Sequence, residues 1–351
     1  MSGIEKNGYP LSKYFGYPNG NIIARTGWNH SPSVTDDTVV AFMKTGQVNI
    51  SNHQHLDAGN FQLYYKGILA NDPIYYSGNN YQSEYMNMYA KRSVAHNTVL
   101  VRDGVSRSLN GHSIADGGQV PFDSPTEVED IKTVAHTEAY DFGGDDVNQP
   151  DYSYLKSDLT GAYSEDSVED YNRSFMFLNM YDEERPAALV VFDRLATKNA
   201  DHKTAWLLHG LNTPAVSGGR SVFSLNSKGY TGKMVNDTLL PANPVITTVE
   251  DGYVTKDGTK YSSGAGSSSN SANESDGYRI EVSPESQGTL TYYLNVIQLC
   301  DSDAEAISPV LIEKSSFGYS SIRLPNAFSR GVNSFLVIAC ESVITSGSSV
   351  F

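Results

Sequence analysis

Apolar and polar residues alternate along most of the chain in short runs. Examples are "NIIARTGW", "NFQLYYKGILAND", "AALVVFDRLAT" and "NSFLVIACESV". A period of two, with many β-branched and aromatic residues, predicts β-strands. Turn signals such as the Asp-Gly pairs at 103–104 and 257–258 separate the runs. The pattern predicts an all-β fold, a large antiparallel multi-stranded β-sandwich with few short helices.

Helical spacing of apolar residues is confined to "QSEYMNMYAKR" at 82–92, where we expect a short helix. The segment 262–277 is rich in Ser, Gly and Asn and predicts a surface loop. A length of 351 residues allows one large or two packed domains. We assign 1–230 to the sandwich core, and 231–351 either to its remaining strands or to a small C-terminal β subdomain.

The charge of the chain limits its partners. It has 40 acidic and 25 basic residues, a formal net charge of -15, which argues against nucleic acid and anionic membranes as partners. An acidic ligand would have to be held by locally placed cations such as Arg92, or by a metal. No apolar run reaches the ~20 residues of a membrane span, and the first residues lack the apolar stretch of a signal peptide.

The two cysteines, Cys300 and Cys340, lie in the apolar runs "NVIQLC" and "FLVIAC". Such surroundings are typical of buried cysteines that pack as small hydrophobic residues. A disulfide between them stays open as an alternative.

The stretch "SNHQHLDAGNFQLYYKGILANDP" at 51–73 carries the first candidate chemistry. If "NHQHLD" is extended, His53, His55 and Asp57 share one face of a strand. Asp72 follows in "ILANDP" and His96 in "RSVAHNTV". A His, Asp, His set from neighbouring strands can bind zinc with water as the fourth ligand. The alternative is that Asp72 and His96 cap turns and that only one early histidine has a function.

The order of these motifs resembles the heparinase II/III-like family of bacterial polysaccharide lyases. The resemblance is carried by H-x-H-x-D-x-G, a strand pair that ends in an aspartate, and R-x-x-x-H-N-T. Weaker similarity continues in "YSYLKSDLTGAY", "DYNRSFMFLN", "LVVFDRL" and "AWLLHG", so that it covers roughly residues 20–215. The resemblance implies a β-sandwich and β-elimination on uronate-containing glycans.

The resemblance also implies roles for individual residues. His53 would face the active cleft as a catalytic residue, whereas His55, Asp72 and His96 would bind one structural zinc ion. A tyrosine between the last two ligands would donate a proton to the leaving oxygen. Tyr81 is the first choice for this acid, Tyr75 and Tyr89 are the next choices and would also line the cleft to bind substrate, and the remaining candidates are Tyr76 and Tyr85.

Complete members of that family carry an N-terminal α/α toroid, which forms the other wall of the cleft. The family signature begins within the first sixty residues here, so we expect either the C-terminal part of a longer lyase or a stand-alone sandwich. On either interpretation half of the catalytic wall, the toroid, is a missing partner, and we expect the chain to be weak or inactive by itself. The expected substrate is an acidic polysaccharide or oligosaccharide, and the expected location of the parent protein is periplasmic or secreted.

Two alternatives of another class remain. One is a non-catalytic carbohydrate-binding or structural sandwich that keeps zinc for folding. The other is a redox enzyme with an iron site of two histidines and one carboxylate, formed by His53, His55 and either Asp57 or Asp72. The second alternative leaves the downstream motifs unexplained, and metal analysis separates it from the others.

Several other residues have simpler interpretations. Trp28 and Trp206 are expected in the core or the cleft wall, and His202 and His209 at ordinary strand positions, with His209 a secondary candidate for the cleft. Arg173 is expected to pair with a nearby acid, namely Glu165, Asp166, Glu169 or Asp170.

Overall fold

Alternating burial along the strands builds the fold. In Tyr152–Asp158, for example, every second side chain is buried and those between are partly exposed, as expected for a strand with one face on a core. The computed structural model describes residues 9–28, 37–50, 53–72, 83–121, 131–144, 146, 148–226, 229–250, 252–262, 277–312 and 321–323.

The first twelve strands in chain order are β1 (Ser12–Phe15), β2 (Asn21–Arg25), β3 (Val40–Lys44), β4 (Val48–Asn49), β5 (Phe61–Tyr64), β6 (Ile68–Ala70), β7 (Val99–Arg102), β8 (Arg107–Leu109), β9 (His112–Ile114), β10 (Lys132–Thr133), β11 (His136–Gly143) and β12 (Tyr152–Asp158). The others are β13 (Val168–Asn179), β14 (Ala187–Thr197), β15 (Lys203–Gly210), β16 (Ala215–Ser217), β17 (Arg220–Ser224), β18 (Lys233–Leu240), β19 (Pro244–Glu250), β20 (Tyr253–Val254), β21 (Lys260–Tyr261), β22 (Tyr278–Pro284), β23 (Leu290–Cys300), β24 (Val310–Ile312) and β25 (Ser321–Arg323).

Three antiparallel sheets make up most of the described chain. The largest has eight strands in the order β11-β12-β13-β14-β23-β18-β17-β16, the second has five in the order β1-β2-β3-β5-β6, and the third has four in the order β19-β22-β15-β7. The predicted antiparallel multi-stranded sandwich is confirmed. Strands on either side of residue 230 share sheets, since β18 and β23 lie in the same sheet as β12–β14.

One aromatic cluster joins the three sheets. Phe61 comes from the five-stranded sheet, Phe175 from the eight-stranded sheet and Trp206 from the four-stranded sheet, and all three are fully buried. The ring centroid of Phe61 lies 5.9 Å from that of Phe175 and 6.2 Å from that of Trp206. Each buried aromatic side chain contributes about 1.5–3 kcal/mol through the apolar surface that it removes from water. Phe61 is itself part of the segment 51–73 that carries the candidate chemistry.

Helical structure is sparse. The helix expected at 82–92 is present as one π-helical turn, Met86–Ala90, all of whose residues are buried, and 3₁₀ turns cover Ser93–Ala95 and Thr160–Ala162. None of the helices in the described ranges has the length and apolar character that crossing a membrane would require. Cys300 is buried at the end of β23. Cys340 and most of the loop expected at 262–277 lie outside the described residues.

Candidate metal centre and cleft

Three segments converge at one end of the five-stranded sheet. Asp72 follows the β5–β6 hairpin, and His96 follows the 3₁₀ turn Ser93–Ala95 just before β7. His55 lies in the connection between β4 and β5, which is not a strand. The condition under which His53, His55 and Asp57 would share one strand face is therefore not met, because the chain turns at His53, whose φ is 58°. The convergence comes from the ends of the strands and not from one strand face.

His55, Asp72 and His96 meet in this cluster. His55 Nδ1 lies 3.2 Å from His96 Nε2, and His96 Nδ1 lies 3.0 Å from Asp72 Oδ1. His96 is fully buried and Asp72 largely so. The predicted proximity of these three side chains is present, and the two rings and the carboxylate form a row centred on His96.

The Asp72 carboxylate is held by amide donors. Asn60 Nδ2 donates to Oδ1 at 3.0 Å and to Oδ2 at 3.1 Å, and Gln62 Nε2 donates to Oδ2 at 2.7 Å. Burial would raise the pKa of Asp72, but the charge of the adjacent His96 and the hydrogen bonds from Asn60 outweigh it and lower the pKa to about 2. The carboxylate is ionised and fixed in orientation, as a metal ligand or a partner of a ligating histidine requires.

His96 Nδ1 provides the test of whether a cation fits. It is buried and makes no hydrogen bond of acceptable geometry, although Asp72 Oδ1 is close. A buried polar atom without a directed partner is costly in a folded protein. Neighbouring ligands of tetrahedral zinc lie about 3.3 Å apart when their bonds are about 2.0–2.1 Å long. The two separations in this cluster involve opposite nitrogens of the His96 ring, Nε2 towards His55 and Nδ1 towards Asp72, so one ion would contact all three side chains only after a ring turns. The residue types, two imidazoles and a carboxylate, fit a small divalent cation.

A second donor set overlaps the first. Asp57, Asp72 and His96 each offer one atom, and these atoms lie within 4.8 Å of one another. Asp57, however, already accepts a hydrogen bond from Lys44 Nζ at 2.6 Å.

Burial, together with the neighbouring His96, lowers the pKa of His55 to about 4. His55 is thus neutral at pH 7, which is the form of imidazole that binds metals.

His53 occupies an exposed turn next to this cluster. Its left-handed backbone is uncommon for a residue other than glycine, and such conformations concentrate at functional sites. The imidazole of His53 is thus placed at the surface, whereas those of His55 and His96 are turned inward.

A concavity of about 340 Å³ lies beside Asp72 on the face of the five-stranded sheet. Phe42, Tyr64 and Ile68 supply apolar and aromatic surface, and Gln62 and Asp72 supply polar groups at one side. A surface of this kind suits the faces of a sugar ring, which stack on apolar groups while the hydroxyls form hydrogen bonds.

Of the candidate tyrosines, the structure describes Tyr85 and Tyr89. Tyr75, Tyr76 and Tyr81 lie outside the described residues. Tyr89 is fully buried in a cluster with Val94 and Leu100, and its ring is 6.0 Å from that of Tyr85. Tyr89 therefore packs inside the protein, and its position does not support the expected contact with substrate.

Arg92 is likewise an internal residue. It is 1 % exposed, and its guanidinium donates to the backbone carbonyls of Asn87 at 2.6 Å, Arg107 at 3.2 Å and His112 at 2.6 Å. These bonds tie the π-helical turn to the β8–β9 hairpin. Because its donors are used inside the protein, the expected binding of substrate by Arg92 has no support in this geometry.

Arg173 forms a buried ion pair, but not with any of the four expected acids. Its partner is Asp193, which lies opposite Arg173 in the register of β13 and β14. Nε lies 2.6 Å from Oδ1 and Nη2 lies 3.1 Å from Oδ2. The expected pairing is wrong because strand register, not closeness in the sequence, selects the partner. The signal in the sequence was that Arg173 occupies a position of β13 where the alternation of apolar and polar residues predicts a buried side chain.

Gly59, in the turn before β5, has a backbone conformation and close neighbours that favour glycine. Its φ is +78°, and an added Cβ would clash with the Cδ1 atom of the buried Leu159. We expect Gly59→Ala to lower the free energy of unfolding by about 2–4 kcal/mol, through backbone strain and overpacking. The control is Gly104→Ala, where φ is +81° but nothing lies within 4 Å, and where about 1 kcal/mol is expected. Equal losses in denaturant unfolding would contradict this explanation.

His209 should make stability depend on pH. It is buried, with Nδ1 3.1 Å from Asn97 Oδ1 and Nε2 3.2 Å from the Val94 carbonyl oxygen. Burial, reinforced by the charge of Arg279, lowers its pKa to about 3. A histidine in the unfolded chain has a pKa of about 6.5. Neutral His209 therefore contributes fully to the free energy of unfolding above pH 6.5, and this contribution is lost as the pH falls towards 3. The slope from this residue is about 1.4 kcal/mol per pH unit.

The measurement is denaturant unfolding between pH 6.5 and pH 4. His209→Gln cannot take up the proton, so its stability should fall less steeply on acidification than that of the wild type. Parallel curves for the two proteins would show that His209 is not kept neutral by the fold.

Comparison with known proteins agrees with this fold and motif order. The family model for the heparinase II/III-like C-terminal domain matches residues 23–293. Among solved structures, heparan sulfate lyase HepC from Pedobacter heparinus has a TM-score of 0.61 at 15% identity, and a mutant of it has 0.60 at 14%. Both alignments cover 94% of this chain and 42% of the other chain, so this chain spans less than half the length of those lyases. No curated protein sequence matches. The chain belongs to the heparinase II/III-like family, and the matching region is the C-terminal domain of that family.

Proposed function

We propose that this chain is the C-terminal part of a polysaccharide lyase that cleaves uronate-containing glycans by β-elimination. The observation that carries the proposal is the arrangement of its histidines. His53 is exposed, whereas His55 and His96 are turned inward towards Asp72, next to a concavity with aromatic lining. Membership of the heparinase II/III-like family supports the same reaction class.

The proposed elimination needs three functions. A base removes the proton from C5 of the uronate, the electron pair forms the C4–C5 double bond, and an acid protonates the oxygen that leaves C4. The uronate carboxylate must also be neutralised as negative charge develops. We assign His53 to proton exchange or to the carboxylate, and Tyr81 to protonation of the leaving oxygen. Arg92 and Tyr89 are left out, since both are buried.

We further propose that the cluster holds one zinc ion through His55, Asp72 and His96. The Nδ1 atom of His96 lies next to Asp72 without a directed hydrogen bond, and this, with the neutral state of His55, supports this set. The ion pair with Lys44 argues for Asp57 as a neighbour and not a ligand. When bound, zinc would supply a structural cross-link between the ends of β6 and β7 and the turn at His55. Analysis of the purified protein should find close to one zinc per chain, whereas iron with oxygen-dependent turnover would favour the redox alternative.

A non-catalytic carbohydrate-binding sandwich is the second candidate. Two residues expected to bind substrate, Arg92 and Tyr89, are internal, which favours a structural use of this part of the family motif. This candidate predicts retention on a glycan column without any cleavage.

The test is turnover by the protein in its full natural length. A panel of uronate polymers is supplied, with neutral dextran as the control, and the ultraviolet absorbance of the unsaturated uronate product is followed. The proposal expects at least one uronate polymer to give a rising signal and dextran to give none. Binding of a uronate polymer without any such signal would support the second candidate. We place the full-length protein in the periplasm or outside the cell, where such polymers are met.

A further inference from the structure

Arg173 is fixed from two sides inside the sandwich. It is fully buried in β13, and the bidentate pair with Asp193 uses its Nε and Nη2. Asp193 is in turn held by the hydroxyl of Tyr171 at 2.9 Å. The charges of Arg173 and Asp193 balance each other. The remaining donor group of Arg173, Nη1, is therefore free of this pair and can bind other segments.

That donor group, Nη1, reaches two segments of the candidate site. It donates to the Gly59 carbonyl at 2.6 Å and to the Asn97 carbonyl at 2.8 Å. Gly59 belongs to the turn between His55 and β5, and Asn97 directly follows His96. The Nη1 atom of Arg173 therefore joins two segments, one that carries His55 and one that carries His96. The separation of these segments sets the distance between the two histidines.

The network continues from Asn97 to Asp72. The backbone N–H of Asn97 donates to Asn60 Oδ1 at 2.9 Å, and Asn60 Nδ2 donates to both oxygens of Asp72. Asn97 Nδ2 also donates to the Phe61 carbonyl at 2.8 Å. Arg173, Asn97 and Asn60 are each at most 1 % exposed. Buried networks in which the members have partners are rigid, because breaking any bond leaves a desolvated group without a partner.

From these contacts we infer that Arg173 is a positioning residue for the metal centre: it sets the affinity for zinc by holding the His55 turn, His96 and Asp72 at their mutual distances. The inference rests on the proposed zinc site. Partners outside the ligand shell orient ligands, and changing them typically lowers metal affinity 10–100-fold. Lysine cannot replace the guanidinium here, since its single nitrogen cannot keep the bidentate pair and still reach both carbonyls.

The test removes the donor without leaving a buried charge. Arg173→Met combined with Asp193→Leu replaces the ion pair by apolar residues of similar size, an exchange that folded proteins often tolerate. The matched control is Arg220→Met with Asp237→Leu. This second Arg–Asp pair is also bidentate and cross-strand, at 2.7 and 3.0 Å. It joins β17 to β18 in the eight-stranded sheet, next to the edge strand β16. Arg173→Lys is the conservative variant and serves if the double variant does not fold.

Zinc affinity is measured by competition with a chromophoric chelator, and the visible absorption of the cobalt-substituted protein reports coordination geometry. The inference expects the Arg173→Met, Asp193→Leu variant to bind zinc at least about tenfold more weakly and to alter the cobalt spectrum. Arg173→Lys should show a smaller loss of zinc affinity, and the control altered at 220 and 237 should match the wild type. Folded variants with wild-type affinity and spectrum would overturn it. If the wild type itself binds no zinc, the proposed metal site fails and this inference fails with it.

Discussion

Replacing His96 with alanine is expected to abolish zinc binding and to lower the free energy of unfolding by about 3 kcal/mol. His96 is the central member of the row, between His55 and Asp72, and it is fully buried. Removing one partner of a buried charged pair typically costs about 3–5 kcal/mol. The lower end applies here because Asn60 and Gln62 still donate to Asp72. Metal content and denaturant unfolding of the zinc-free proteins measure the two effects separately.

The control for this variant is His136→Ala, at an exposed position on the edge strand β11. It should leave the metal content unchanged. Its free energy of unfolding should stay within about 0.5 kcal/mol of the wild-type value, as for most surface substitutions. A His96→Ala protein that retained one zinc per chain would show that His96 is not a ligand.

Replacing His53 with alanine should lower turnover without changing zinc content or stability. In the full-length protein we expect uronate elimination to fall by at least about 100-fold, the usual lower range for the loss of a general acid or base. Metal content and stability should stay unchanged, because His53 is exposed and its backbone turn, at φ 58°, lies outside the buried row. The measurements are the initial rate of ultraviolet absorbance, zinc content and unfolding.

His53→Asn is the matched variant, since asparagine also tolerates a left-handed backbone and separates strain from chemistry. It should be as inactive as His53→Ala. Loss of zinc in either variant, or wild-type turnover, would contradict the division between a cleft histidine and a ligand histidine.

Much of the fold and part of the site followed from local patterns. Period-two alternation and turn residues predicted an antiparallel sandwich, because each strand must turn one face to a core. The pattern of residues indicated a His, Asp, His site from neighbouring strands, and the family resemblance selected His55, Asp72 and His96 for it. The short helical turn at Met86–Ala90 was predicted from its spacing, although all of its residues are buried.

The errors share one physical origin. Burial of Arg92 depends on carbonyl groups of Arg107 and His112, which a hairpin further along the chain supplies. The partner of Arg173 depends on the register between β13 and β14. A pattern in one segment does not reveal either acceptor, since both are chosen by tertiary contacts. The same holds for "NHQHLD", which alternates like a strand but turns to reach His96.

The masses of the cleaved products distinguish β-elimination from hydrolysis. The full-length protein is incubated with a defined uronate oligosaccharide, and the products are weighed by mass spectrometry. A lyase breaks the C4–O bond without adding water, so the masses of each product pair should sum to that of the intact oligosaccharide. The double bond should lie at the new non-reducing end of the fragment that keeps the original reducing end. Product pairs that together weigh one water more than the substrate would identify a hydrolase and contradict the account.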